Sequence, residues 1–225
     1  IQDKSNLHIY DPSAGWGGRI LGAMSVHDRQ IHYIGTDPNT DNYIDELNQS
    51  RYEYLADFFN DKTNGGNPFF GHRNTYDVYQ NGSEEISNNP SFQKYKGKLD
   101  LVFTSPPYFN REQYSADESQ SFKKFPEYAD WRDNFLRPTL KTAAEYLKND
   151  RYLLWNIADI ADGDGFMPLE KDSRDILAEY GLEYVETLKM LMTTMRGVKA
   201  ETVKNCCKIN GELQKYEPIF VFYKK

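Results

Sequence analysis

The chain has 225 residues and a mass of 26.2 kDa, enough for one sizeable core, with 27 Lys+Arg against 34 Asp+Glu for a net charge of -7. A mean hydropathy of -0.78 and the lack of any run of ~18 apolar residues exclude a membrane-spanning helix, and no basic start followed by an apolar run marks a secretory signal. The two cysteines, Cys206 and Cys207, are adjacent, which excludes a disulfide framework and fits a reducing, cytoplasmic compartment; no Cys/His cluster has the spacing of a metal site.

In chain order, Leu7 to Tyr10 reads as a first strand. It is closed by the Gly-rich turn Asp11-Pro-Ser-Ala-Gly15-Trp-Gly17-Gly18, after which Arg19 to Val26 reads as a helix. His32 to Thr36 is a second strand, ended by Asp37-Pro38. Asn39 to Phe59 places Tyr43, Ile44, Leu47, Tyr54, Leu55, Phe58 and Phe59 near helical spacing. Asp61 to Pro68 is loop, Thr75 to Tyr79 a third strand, and Asn81 to Asn89 polar turn chemistry. Leu99 to Phe103 is the clearest buried strand, stopped by Thr104-Ser105-Pro106-Pro107-Tyr108. A polar loop follows from Phe109 to Pro126, then a helix from Glu127 to Lys148 with Trp131, Phe135, Leu136, Leu140, Ala143, Ala144 and Leu147 on one face. Arg151 to Ile157 is a strand, and Asp172 to Tyr180 a helix ended by Gly181. Leu182 to Met192 and Pro218 to Tyr223 are strands with no long helix between them. The alternation predicts an α/β sandwich on a mostly parallel sheet, as one domain over 1–225.

Three places carry chemistry. The Gly-rich turn after strand one sits where doubly wound sheets bind ligands, and its glycines allow close backbone approach; an ordinary turn reads the same way. Asp37, at the end of strand two, can accept both hydroxyls of a ribose or cap the helix after Pro38. In Ser105-Pro106-Pro107-Tyr108 the prolines hold the chain extended, the Pro106 carbonyl and Ser105 hydroxyl offer two acceptors, and Tyr108 offers a flat face. An exocyclic amine placed there donates two hydrogen bonds, and its lone pair turns outward toward an electrophile. The bland alternative is that Pro-Pro only ends a strand.

This order of motifs, Asp-Pro-x-x-Gly-x-Gly, an acidic residue after strand two, and Ser-Pro-Pro-Tyr after strand four, resembles the class I S-adenosylmethionine-dependent DNA amino-methyltransferases, which methylate N6 of adenine or N4 of cytosine. The likeness covers nearly the whole chain. It implies a Rossmann-like, mostly parallel seven-stranded sheet with an antiparallel strand near the C-terminus and helices on both faces. It implies S-adenosyl-L-methionine as cofactor, with Asp11 on the methionine ammonium and Ser13, Gly15 and Gly17 shaping the loop. Trp16 packs either on the cofactor or in the core. Asp37 takes the ribose hydroxyls, Ser83 or Glu84 approaches the adenine, and Ser105, Pro106, Pro107 and Tyr108 hold the target base. The implied substrate is double-stranded DNA with the base flipped out, without metal or membrane. Alternatives within the fold are methylation of an RNA base or a protein glutamine; a further one is a silent nucleic-acid-binding subunit.

Ten residues precede Asp11, fewer than this class uses on the methionine side, and the chain starts at Ile1. The expectation is that it is a piece of a longer protein or works with a partner subunit. No separate target-recognition region is evident; the candidates are the loop from Phe109 to Pro126 and the stretch from Lys189 to Lys208. The most basic window, with Lys189, Arg196, Lys199, Lys204 and Lys208, together with Lys123 and Lys124, supplies the candidate phosphate contacts; a solvated hairpin face is the alternative.

Overall fold

The computed structural model describes residues 6–63, 74–111, 118–162, 165–192 and 204–225. Seven strands form the body of one sheet: β1 (Asn6–Asp11), β2 (Gln30–Thr36), β3 (Thr75–Tyr79), β4 (Leu99–Thr104), β5 (Leu147–Asn156), β6 (Leu182–Leu191) and β7 (Glu212–Lys224). Their order across the sheet is β6-β7-β5-β4-β1-β2-β3, and a short strand at Cys206–Ile209 also pairs with β7. Strands β1 to β5 are mutually parallel, whereas β7 runs antiparallel to both β5 and β6. The chain leaves β1 toward β2 on one side and returns to β4 on the other. That reversal opens a crevice at the carboxyl ends of β1 and β4, where such sheets bind ligands.

Apolar residues cover both faces, as a parallel sheet requires. On one face α1 (Gly18–Met24) and α2 (Arg51–Thr63) bury Ile20, Met24, Tyr52 and Ala56 against Leu7, Ile31 and Tyr33. On the other, α3 (Pro90–Gln93), α4 (Ser121–Lys124), α5 (Tyr128–Trp131), α6 (Arg137–Tyr146) and α7 (Leu169–Glu179) accompany a larger core around Tyr10, Phe92, Trp131 and Trp155. Buried Trp155 donates its indole N–H to Ser173 at 3.1 Å, so its polar atom is satisfied.

Two elements depart from the periodicity. The helix expected over Asn39 to Phe59 begins only at Arg51; before it lie single 3-10 turns at Thr40–Asn42 and Asp45–Leu47 and a two-stranded ribbon of Tyr43–Ile44 with Gln49–Ser50. The Asn39 side chain accepts from the Asp41 N–H, and Asn48 adopts a left-handed φ of 50°, so local polar side chains win over the helix. The helix expected over Glu127 to Lys148 contains a π-helical turn at Arg132–Leu136. Pro138, which lacks an N–H for the ladder, stands just beyond it, after Arg137.

Under the amino ends of β1, β4 and β5, the fully buried Asp100 side chain accepts from the His8 N–H at 3.1 Å, Lys148 Nζ at 2.9 Å and Arg151 Nε at 3.2 Å. Burial pushes the Asp100 carboxyl up, but the bonds from His8 and Lys148 outweigh it and hold the pKa below the usual carboxylate value. A depressed native pKa contributes stability that is present above the unfolded value of about 3.9 and is lost as the pH falls below it. Asp100→Asn is therefore expected to cost about 2–3 kcal/mol at pH 7, since both cations are partly solvated. The difference from wild type should shrink steadily below pH ~4 in urea unfolding. A pH-independent difference would show that the carboxylate charge is not what stabilises.

Candidate active site

The crevice is a cleft of about 340 Å³, within the size range of small-ligand sites, whose walls come from the ends of β1, β2, β3 and β4 and from the segment before α5. Its floor is the Gly-rich turn. Gly15 and Gly17 have φ of 55° and 82°, and a Cβ on Gly17 would lie 2.9 Å from Leu55 of α2. Tyr52 of α2 donates to the Gly15 carbonyl at 2.6 Å, which fixes the turn from below.

Asp37 stands on the cleft wall. Its carboxylate accepts the Gly15 N–H at 2.9 Å and the Asn39 N–H at 3.0 Å. Burial pushes its pKa up, partly offset by those backbone bonds. Ser13, Gly15, Trp16, Ser83, Glu84, Ser105 and Pro107 also line the cleft. The sheet thus brings residues from the three sequence motifs to one place.

Asp11 lies elsewhere than expected. It is fully buried and not on the lining. It accepts from Arg19 Nε, Tyr33 OH and Thr104 Oγ1, each at 2.7 Å, and from the Ser13 N–H at 3.2 Å. Two donors on each oxygen leave this carboxylate as an organiser beneath the loop rather than a wall of the cleft. Trp16 is 73% exposed, which removes the core-anchor alternative. The Ser83 hydroxyl pairs with Thr139 at 2.9 Å, turned away into the protein. Glu84 is bound by Lys124 at 2.5 Å, and Lys124 also reaches Glu85 at 2.7 Å.

The Tyr108 ring, expected as an open platform, is 9% exposed and belongs to the larger core, with its hydroxyl 3.4 Å from the Asn156 carbonyl. The next residue, Phe109, has φ of 47°, an uncommon backbone for a bulky side chain. Its buried ring sits edge-on to Tyr128 and Trp131, which holds the turn in place.

Among the candidate phosphate contacts, Lys123 pairs with Glu118 at 3.2 Å, Lys124 with Glu84 and Glu85, and Lys204 with Asp159 and Glu170. Arg196 and Lys199 lie outside the described residues. Among the described residues no group of His, Cys, Asp and Glu is arranged to hold a metal, and no helix is long and apolar enough to cross a membrane.

Part of the loop from Phe109 to Pro126, the segment Ser119–Phe122, lines the cleft and is tied down by the Ser119 hydroxyl on the Pro38 carbonyl (3.4 Å) and by Trp131 Nε1 on Ser121 (3.0 Å). Sequence reasoning missed Arg19, on the lining at the second position of α1. A cation in the first turn of a helix opposes the helix dipole, so it needs an anionic neighbour, and that was a legible signal.

The fold is Rossmann-like and resembles that of solved methyltransferases. An S-adenosylmethionine-dependent methyltransferase from Methanosarcina mazei superposes with a TM-score of 0.54 at 12% identity, covering 99% of this chain and 94% of that one. The antibiotic-resistance methyltransferase Kmr gives 0.48 at 11% identity, over 97% and 87%. A candidate DNA modification methylase from Thermus thermophilus gives 0.40 at 19% identity, over 63% and 50%. No family model and no curated protein matches the sequence.

Proposed function

We propose that this protein is an S-adenosylmethionine-dependent methyltransferase acting on an exocyclic amine of a DNA base, N4 of cytosine or N6 of adenine. The observation that carries the reading is the position of Ser105 and Pro107 on the same cleft as Asp37 and the Gly-rich turn. The residues present suit the cofactor: a carboxylate for ribose hydroxyls, glycine backbone without side chains, and apolar surface from Pro38, Phe122 and Phe135. When bound, S-adenosylmethionine supplies a methyl group on a positively charged sulfur.

The chain's own part is binding and orientation. Asp37 accepts hydrogen bonds from the ribose hydroxyls. Ser105 accepts one hydrogen bond from the target amine; the expected second acceptor is the carbonyl of Pro106, a buried residue that is not among those lining the cleft, and the two bonds together turn the amine's lone pair out of conjugation with the ring. The amine becomes acidic as it gains a methyl group and releases its proton to water, so the site needs no strong base. The test is incubation with methyl-labelled cofactor and DNA, then mass spectrometry of the nucleosides. N4-methylcytosine or N6-methyladenine is expected; label in RNA or protein alone would overturn the DNA substrate.

Asp37→Ala is expected to weaken S-adenosylhomocysteine binding by ~1–3 kcal/mol, the cost of hydroxyls left unpaired in a buried place. Because the Asp37 pKa is raised, wild-type affinity should fall on acidification before the pH reaches the usual carboxylate value, about 3.9. The Asp37→Ala protein should lack that dependence in calorimetric titrations; a variant with unchanged affinity would remove Asp37 from the site.

A further inference from the structure

One face of the sheet is only half covered. Leu153 and Trp155 of β5 and Phe220 and Phe222 of β7 point into the larger core. Side chains alternate along a strand, so Tyr152, Leu154, Val221 and Tyr223 point the other way. Strand pairing sets Phe103 of β4 beside Leu154, Leu154 beside Val221, and Ile219 beside Leu188 of β6. The core beneath α1 and α2, on this same side, takes no residue from β4, β5, β7 or β6. Tyr152, Leu188 and Met190 are left 42%, 42% and 40% exposed. A sheet face that meets water carries polar side chains at its outward positions. Here those positions are mostly apolar, and they form a trough four strands wide.

Beside the trough stands the ridge of α1 and α2. Helix α2 buries Tyr52 and Ala56 on the sheet. Tyr54 and Phe58 lie two positions on from these, about 200° round the helix. Each is 44% exposed, and their rings stack at 6.3 Å. The crest of α2 is therefore aromatic, with Arg51 at its first position and Lys62 near its last. Arg51 forms no ion pair among the described residues, and Lys62 sits over the Phe58 ring at 5.5 Å. Of the acids on α2, Glu53 accepts the Ser50 N–H, and Asp57 and Asp61 interact within the chain. On the trough, Glu186 and Glu217 form no ion pair among the described residues.

We propose that two copies of this chain form a two-fold dimer in which the α1–α2 ridge of each fills the trough of the other. A two-fold axis parallel to the strands, near β4, lays the covered half of one face on the bare half of its partner. The widths agree: four strands span about 14 Å between their outer axes, and two neighbouring helices lie about 8–10 Å apart. Helix α2 of one copy then lies over β6 and β7 of the other. It connects the parallel strands β2 and β3, so it runs against them, and Arg51 comes to the end of the trough where Glu217 stands. Lys62 comes toward Glu186. Along the helix the two cations are about 16 Å apart. Glu217 pairs with Met190, four residues beyond Glu186, which sets the two carboxylates about 13 Å apart. Apolar surface thus meets apolar surface and each cation meets a carboxylate. Because the axis keeps the strand direction, both clefts open at the same end of the dimer.

Sedimentation equilibrium of the chain tests this. The wild type should weigh twice 26.2 kDa at micromolar concentration. Leu188→Glu in the trough and Phe58→Glu on the ridge should each weaken dimerisation ~30-fold or more, as loss of a central interface anchor does. Lys62→Glu and Glu186→Lys should each weaken it less, and in a salt-dependent way. The double variant carrying both reversals restores the pair in each contact and should recover the dimer. A monomeric wild type overturns the proposal. So does a dimer that Phe58→Glu leaves intact, which points to pairing of two β6 edges instead, or a double variant as weak as the singles. If Leu188→Glu does not fold, Phe58→Glu and the two charge reversals, all at exposed positions, decide.

Discussion

Asp11→Ala is expected to lower the free energy of unfolding by ~3–5 kcal/mol, the range for removing one partner of a buried ion pair. The carboxylate takes four donors from four parts of the chain: Arg19 in α1, Tyr33 in β2, Thr104 at the end of β4 and the Ser13 amide in the turn. Its loss strands a guanidinium and two buried hydroxyls together, and each hydroxyl alone costs about 1–3 kcal/mol when unsatisfied. Asp11→Asn keeps the shape and one acceptor oxygen, so it should lose less. Urea unfolding of the two variants gives the comparison. A loss below ~1 kcal/mol in Asp11→Ala would mean that water reaches the stranded groups and the network is not what holds the three strand ends together.

The Ser-Pro-Pro-Tyr box is expected to divide into a reactive and a structural half. Tyr108→Ala should cost about 3 kcal/mol or more of stability, as truncation of a buried aromatic does. Its ring is packed in the core and supports the strained turn at Phe109. Tyr108→Phe keeps the packed ring while losing the hydroxyl, whose bond to the Asn156 carbonyl is long at 3.4 Å, and should cost less than Tyr108→Ala. Ser105→Ala, on the cleft wall, should leave stability and cofactor affinity close to wild type. It should slow turnover by roughly 10- to 100-fold, the rate equivalent of one charge-assisted hydrogen bond to the reacting amine. If Ser105→Ala turns over at the wild-type rate, the amine is not held there. If Tyr108→Ala is as stable as wild type, the ring is not part of the core in solution.

Much of this molecule was readable along the chain. Apolar runs ending in Gly or Pro, such as Leu7 to Gly15 and Leu99 to Pro107, marked strands that end at a ligand crevice, and both ends do lie on the cleft. The antiparallel β6–β7 pair was implied by the family resemblance, and two strands with no long helix between them agree with it. The ribbon before α2 was not readable, because Asn39 and Asn48 act through particular hydrogen bonds and a left-handed backbone rather than through periodicity. The fate of Tyr108 was not readable either: an aromatic after Pro-Pro has the same composition whether it faces the cleft or the core.

The amino-acid sequence by itself determined the order of the strands of the main sheet and the motifs at their ends, since those depend on side-chain period and on the backbone limits of Gly and Pro within a few residues. Only the tertiary structure decided which charged residues face the cleft. Asp11 is satisfied by Thr104, 93 positions away; Lys124 is taken by Glu84, 40 positions away; Lys204 is taken by Asp159, 45 positions away. A charge is available to a ligand or consumed by the protein according to its nearest neighbour in space. The sheet order that puts β4 beside β1 chooses that neighbour, and no local pattern carries it.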